Sequence, residues 1–310
     1  MSETASSNSQ GLGHIHRVLV AAGRRIGLGR LRSVVWAYEH AIAPWIPSIV
    51  SHRGCRFVLD PRDGRGPAFA DEHEAELNFL LANLRPQDVV LDIGANGGLF
   101  TVILAKALGS TGHVYAFEPE PRNLGRLRRN VQLNELANVT ILPHAVSDRT
   151  GKGWLHLSKT HNGLHRMHPS RLCRHQLEVQ CIRLDEFAPV ADRGVDVVKI
   201  DVEGHELQVL RGMAEVIDRT PGIKLFMEFC PRWLEEAGSH PETVLRMLAD
   251  RGFEFWDAAT RAPAAISTEQ LLLNYTVQNA RSTNLWCVRS AATRTGVSEC
   301  VNEVAFQNVP

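Results

Sequence analysis

The chain has 310 residues, 44% hydrophobic and 22% charged, enough to bury one large core or two small ones. Its 34 Lys plus Arg balance 34 Asp plus Glu, so no overall field draws it to nucleic acid, to an acidic membrane surface or to a basic partner. The 6 cysteines (Cys55, Cys173, Cys181, Cys230, Cys287 and Cys300) form no CxxC pair and no metal-ligand spacing, the usage expected of a reducing, cytoplasmic compartment.

The opening run MSETASSNSQGL is polar and disorder-like, and the longest early apolar run, Val18 to Ala22, is too short for a signal-peptide core or a membrane span. From His14 to His40, residues such as Val18, Leu19, Ile26 and Leu31 recur near helical spacing, interrupted by Gly23, Gly27 and Gly29. One broken helix, or two, is predicted there. Arg17, Arg24, Arg25, Arg30 and Arg32 give it a basic face, either a surface for a membrane or an anionic substrate or, the reading preferred here, the solvated side of a helix packed on its own domain. PWIP at Pro44 to Pro47 ends helix formation. GCRFVLDPRDG, Gly54 to Gly64, predicts a short strand and turn, a β-hairpin.

A helix is expected over Asp71 to Leu84, after which the chain alternates regularly. Strands are expected at Val89 to Ile93, His113 to Phe117, Val139 to Pro143, Val195 to Ile200, Ile223 to Phe229, Phe253 to Asp257 and Asn284 to Val288. Helices are expected at Phe100 to Leu108, Arg122 to Asn134, Glu206 to Ile217 and Pro241 to Arg251. Near-continuous apolar strands alternating with helices mean a doubly wound α/β fold: a mostly parallel seven-stranded sheet covered on both faces, with an antiparallel edge strand. The expected organisation is a disordered start over 1–12, a helical and hairpin extension over 13–69, the main domain over 70–290 and a loose tail over 291–310.

In such a sheet, ligands sit beyond the carboxyl ends of the strands where strand order reverses. VVLDIGANGG, residues 89–98, runs from buried-strand residues into a glycine-rich turn. Glycines 94, 97 and 98 let backbone approach a ligand and leave amides exposed at the next helix start. The spacing is not G-x-G-x-x-G, which argues against a pyrophosphate and so against a nicotinamide-dependent oxidoreductase. Asp92 would repel a phosphate but welcome a cationic or hydroxyl-bearing ligand. Glu118, at the end of VYAFEPEP, stands 20 residues beyond Gly98 (118 − 98), where an acid grips ribose hydroxyls. Ribose and positive charge without phosphate describe S-adenosylmethionine.

The runs DIGANGGLFT (Asp92 to Thr101), FEPEP with Asn123 and Asn130 downstream, AVSD (Ala145 to Asp148), LDEF (Leu184 to Phe187) and VKIDVEGHE (Val198 to Glu206) occur here in order. With them the sequence resembles the FkbM family of S-adenosylmethionine-dependent methyltransferases, over roughly residues 70 to 235. The resemblance implies a class I methyltransferase (Rossmann-like) fold and O-methylation of a hydroxyl on a sugar, polyketide or related metabolite. It maps cofactor contacts to Asp92, Gly94, Asn96 and Gly98 at the methionine end and to Glu118 at the ribose. Similarity to the wider fold places adenine against Ala145, Val146 and Asp148, with His144 where many methyltransferases carry an acid.

Lys199 sits inside a strand expected to be covered, where an ammonium must be paired. Alternation puts Lys199 and Asp201 on one face, and Glu228 on the neighbouring strand could join them. Methyl transfer from a sulfonium is an in-line displacement that also needs the acceptor's proton removed. Asp201, Glu203, His205 and Glu228 are the candidates, Asp201 first because strand ends are rigid. The competing mechanism is a divalent ion, magnesium or calcium, held by Asp201, Glu203 and Glu228 and acidifying the hydroxyl; the structural alternative is an ion network that only orders the strand ends. HNGLHRMH, His161 to His168, lacks zinc-site spacing and is expected in a long connection, either as surface histidines or as a lid whose His161 and Asn162 face the methyl donor.

The remaining alternatives are a non-catalytic adenosyl-binding regulator and a nucleic-acid methyltransferase. Neutral charge and the absence of an NPPY-like or DPPY-like run weigh against the latter. A small-molecule or glycan acceptor is expected, with no integral membrane segment and the oligomeric state, homo-oligomer included, left open.

Overall fold

The computed structural model describes residues 49–58, 73–158, 162–171, 173–189, 194–258 and 264–289. The arginine-bearing helix, the PWIP stop, His161, Cys300 and the tail expected after 290 lie outside the described residues. Two compact units are distinguished, Met1–Glu74 and Ala75–Pro310.

In the first unit, β1 (Ile49–His52) pairs antiparallel with β2 (Cys55–Val58). The turn is Arg53-Gly54, both at positive φ (50° and 71°), which suits a two-residue hairpin loop. The hairpin therefore starts before Gly54, earlier than the sequence reading placed it, because Gly54 serves the turn rather than the first strand. His52 and Arg53 both reach Glu74.

Helix α1 (Glu74–Ala82) starts on the last residue of the first unit, and the second unit is organised on seven strands: β3 (Val89–Ile93), β4 (His113–Phe117), β5 (Val139–Leu142), β9 (Val197–Ile200), β10 (Lys224–Phe229), β11 (Phe253–Asp257) and β12 (Thr283–Arg289). The order is β11-β12-β10-β9-β3-β4-β5. β3, β4, β5, β9 and β10 run parallel, and β12 runs antiparallel to both β10 and β11. The antiparallel strand thus lies one place in from the edge strand β11. Strand order reverses between β3 and β9, so the crevice beyond their carboxyl ends is the expected ligand position. VVLDI, HVYAF and VVKI are almost wholly buried, as a sheet covered on both faces requires.

Helices α2 (Leu99–Leu108) and α3 (Pro121–Leu133) follow β3 and β4. The single helix expected after β9 is two, α4 (Glu206–Gly212) and α5 (Ala214–Arg219), broken at Met213. Gly212 packs so tightly that an added Cβ would lie 1.9 Å from the Ser147 carbonyl. α6 (Pro231–Glu236), α7 (Pro241–Ala249) and α8 (Thr268–Asn274) complete the unit. No helix among the described residues is long and apolar enough to cross a membrane.

The connection between β5 and β9 holds structure that the sequence reading did not anticipate. β6 (His144–Val146), β7 (Gly151–Ser158) and β8 (Cys173–Ile182) form a second sheet, ordered β6-β8-β7. Its inward face is small: Ala145, Leu155, Val179 and Cys181 form a separate buried cluster, whereas Trp154 points outward and is half exposed.

Candidate active site

β3 ends in Asp92 and Ile93, and the following turn needs glycine for two distinct reasons. Gly94 has φ +81°, and a Cβ there would stand 2.0 Å from the Asp201 carbonyl; Gly98 has φ +89° and abuts Leu127. The left-handed region favours glycine at both positions. Asn96 also has positive φ, 50°, and its side-chain oxygen accepts from the Gly97 amide at 2.7 Å. From α3, Asn130 Nδ2 donates to the Gly97 carbonyl at 2.7 Å. The turn is held in one shape before any ligand arrives.

Glu118 closes this wall. Its two carboxylate oxygens accept from the backbone amides of Asn96 and Glu120, each at 2.8 Å. Burial pushes its pKa up to about 7, those two amides pull it down, and the nearby Glu120 and Asp92 carboxylates raise it. Glu120 caps α3 by accepting from the Asn123 amide at 2.7 Å.

Asp92 has a different place. It is fully buried, accepts from Thr101 Oγ1 at 2.6 Å and faces Lys199 Nζ at 3.5 Å. The two residues are register partners on β3 and β9. Lys199 also donates to Asp201 at 3.2 Å and sits 4.8 Å over the Phe100 ring. Burial opposes its charge, but Asp201 and Asp92 outweigh burial and hold the ammonium above its ordinary pKa. Lys199 thus takes Asp92 and Asp201 as counter-ions. Glu228 joins Asp201 and Glu203 instead, the three offering ligand atoms within 4.8 Å of one another. Burial raises the Glu228 pKa well above the ordinary value, with Asp201, Glu203 and Glu206 adding to the rise.

The turn after β9 is compressed. Glu203 has φ 56° and Gly204 φ 102°, and a Cβ on Gly204 would stand 2.5 Å from the Trp233 carbonyl and 3.2 Å from His168. Glu206 turns back on its own helix start, accepting from the Gly204 amide at 3.1 Å; burial lifts its pKa to about 7. His205 meets Ser147 Oγ through Nε2 at 3.0 Å, and burial lowers its pKa to about 4, so the imidazole is neutral at neutral pH.

A cleft lies between these walls. Of the residues expected at a site, Gly94, Asn96, Glu118, Ala145, Val146, Asp201, Glu203 and His205 line it, whereas Asp92, Gly98, Asp148, Lys199 and Glu228 do not. Asp148 instead accepts from Ser147 Oγ at 3.2 Å, behind the wall. His144 lines the cleft at the position expected for adenine, with its Nδ1 lacking a hydrogen-bond partner among the described residues.

The lid reading of HNGLHRMH named Asn162, which lines the cleft, but not Gly163, His165 and Met167, which line it too. Leu155 on β7 and the segment Asn162–Met167 cover the cleft, with Asn162, Gly163, His165 and Met167 contributing to the lining. Asn123 Nδ2 donates to the Asn162 carbonyl at 3.2 Å, tying the roof to α3. The usable signal was alternation in HNGLHRMH, where His165 and Met167 face the cleft and Arg166 between them does not line it.

A family model described as Methyltransferase FkbM domain matches residues 92–255. The chain belongs to the FkbM methyltransferase family. It is similar to the hexuronic acid methyltransferase AglP of Haloferax volcanii, 26% identical over 234 residues, covering 72% of this chain and 87% of that one. It is also similar to 31-O-demethyl-FK506 methyltransferase FkbM of Streptomyces tacrolimicus, 29% identical over 164 residues, covering 43% and 62%. A crystal structure of Methyltransferase FkbM from Methylobacillus flagellatus KT aligns with TM-score 0.43 and 17% identity, over 69% of this chain and 47% of that chain. As an FkbM methyltransferase, the chain places the matched segment from Asp92 at the end of β3 through Phe255 on β11, which contains both polar walls of the cleft.

Proposed function

We propose that this FkbM methyltransferase uses S-adenosylmethionine to methylate a hydroxyl oxygen of a sugar or related small metabolite. The observation that carries the reading is the charge of the lining: Glu118, Asp201 and Glu203 face the cleft, and no lysine or arginine among the described residues does. Such a wall suits a cationic, phosphate-free nucleoside and disfavours a dinucleotide. Glu118 would accept the ribose hydroxyls, Gly94 and Asn96 would hold the methionine end, and Ala145 and Val146 would lie against adenine. When bound, the cofactor supplies the methyl group for an in-line displacement.

The chain's own residues orient the acceptor and take its proton. Asp201 is the proposed proton acceptor, since it lines the cleft and is held by Lys199 from behind. His205, neutral and anchored on Ser147, would stand beside it as a hydrogen-bonding group. Similarity to a hexuronic acid methyltransferase favours a sugar hydroxyl as acceptor. A second reading is favoured by the convergence of Asp201, Glu203 and Glu228: a hard divalent cation held there would acidify the hydroxyl in place of a carboxylate base.

The test is calorimetry with S-adenosylhomocysteine, followed by transfer of labelled methyl groups from S-adenosylmethionine to hexoses, hexuronic acids and polyketide alcohols, with and without EDTA. Expected are micromolar-range binding, a labelled ether, and loss of at least a hundredfold in turnover for Asp201→Asn. Binding of NADH with no binding of S-adenosylhomocysteine overturns the proposal. Binding without transfer to any acceptor favours a regulator, and abolition by EDTA with recovery in magnesium favours the metal reading.

A further inference from the structure

The acidic turn after β9 leaves one cation without a part in the chemistry above. Arg166, in the roof segment, is 1% exposed, the most buried arginine among the described residues. A guanidinium removed so fully from water must be matched by several partners. Its Nη1 donates to Glu236 on α6 at 2.8 Å, its Nη2 lies 3.7 Å from the Glu203 carboxylate, and its planar head stacks 4.9 Å over the Trp233 ring. Its backbone is fixed as well, exchanging hydrogen bonds with His156 on β7 at 2.7 and 3.1 Å.

These side-chain contacts join the roof, the acidic turn and α6, which also meet where Gly204 packs against Trp233 and His168. The neighbours of Arg166 face the other way. His165 and Met167 line the cleft, with His165 Nδ1 accepting from the Ser158 amide at 3.0 Å and Met167 packed over Gly153, where a Cβ would come within 3.0 Å of its methyl. The Glu203 carboxylate belongs to a residue at positive φ whose following glycine is wedged against the Trp233 carbonyl. The Glu203 carboxylate lies beside those of Asp201 and Glu228, and Arg166 is the cation in contact with it.

We propose that Arg166 is a positioning residue: by bridging Glu203 and Glu236 and stacking on Trp233, it locks the roof over the cleft and aims the Glu203 carboxylate into the cleft wall. The proposal rests on the methyltransferase reading only for the identity of what fills the cleft. Arg166 itself touches no ligand position and acts through Glu203 and through the roof residues beside it.

Amide hydrogen exchange on the full chain tests this without an acceptor. In Arg166→Met, exchange rises at least tenfold in both 162–168 and 201–206, while β3 and β9 stay within twofold of the wild type. Arg166→Lys leaves most of that rise in place, because one ammonium cannot reach both carboxylates and lie flat on an indole. Glu203→Gln gives a smaller rise in the roof, and the double variant is no worse than Arg166→Met alone. Affinity for S-adenosylhomocysteine, used as the probe, falls fivefold or more in Arg166→Met and less in Glu236→Gln, the milder surface change to be used if Arg166→Met does not fold.

An effect confined to 162–168, an equal rise across the whole sheet, or full rescue by lysine overturns the proposal. If S-adenosylhomocysteine binds neither wild type nor variants, the cofactor reading falls, and the exchange pattern still decides the role of Arg166.

Discussion

On the wall built from β3 and β4, Glu118 is met by two backbone amides, Asn96 braces the next amide, and Asn130 fixes the turn from behind. On the wall built from β9 and β10, Asp201, Glu203 and Glu228 crowd together, with Lys199 and Arg166 supplying positive charge at the edges. In the first wall the carboxylate is fixed in place by two backbone amides. The second gathers carboxylates around Glu228, whose proton affinity is raised by burial and then by Asp201 and Glu203. The two walls meet at the Gly94–Asp201 contact, where they touch through backbone.

That junction is the most sensitive place to break the contrast. Gly94→Ala puts a Cβ against the Asp201 carbonyl and forces a left-handed conformation on an L residue. The expected outcome is a loss of roughly a hundredfold or more in S-adenosylhomocysteine affinity, since displacements of about 1 Å at a preorganised site cost that much. Calorimetry reads it, and an affinity within threefold of the wild type would show that the walls move independently.

Lys199→Met tests whether the second wall depends on the strand behind it. It leaves Asp92 and Asp201 without their shared ammonium, and breaking a buried ion pair from one side costs about 3–5 kcal/mol. Urea unfolding should show that loss. Lys199→Met with Asp92→Asn should recover part of it, because the stranded charge is then gone.

The smallest effect sharpens the first wall. Glu118 and Glu206 each have a folded-state pKa raised to about 7 from 4.5, burial being the first cause in both. A carboxyl whose folded pKa is raised contributes stability that is fully present below its unfolded pKa and lost as pH rises through the folded value. The urea midpoint of the ligand-free protein should therefore fall between about pH 4.5 and pH 7, and Glu118→Gln should flatten part of that fall. A ribose diol that donates to Glu118 prefers its ionised form, so S-adenosylhomocysteine should bind more tightly as pH rises toward about 7.5 and release protons as it does. Calorimetry in buffers of different ionisation enthalpy measures that release.

Legibility in the sequence followed the strength of the local pattern. VVLDI, HVYAF and the buried part of VVKI are continuous apolar runs whose ends carry acids, and their positions in the seven-stranded sheet follow from alternation with helices. The small sheet of β6, β7 and β8 escaped because it buries one face only. GKGWLHLS alternates a glycine or leucine with lysine, tryptophan and histidine, a weak signal beside a histidine-rich stretch. The pairing of Lys199 with Asp201 could be read from strand alternation, whereas its pairing with Asp92 depends on β3 and β9 being neighbours, which strand order decides.

By itself, then, the sequence determined the doubly wound sheet, the glycine turn after the first parallel strand and the acids that close it, because each is encoded within a few consecutive residues by burial, φ preference or spacing. Tertiary structure alone decided that Asp92 turns inward to Lys199 while Glu118 faces the cleft, that Glu228 meets Asp201 and Glu203, and that Arg166 binds the roof to the acidic turn. Those choices depend on distances between residues tens of positions apart, which only the register of the strands and the packing of the connections can set.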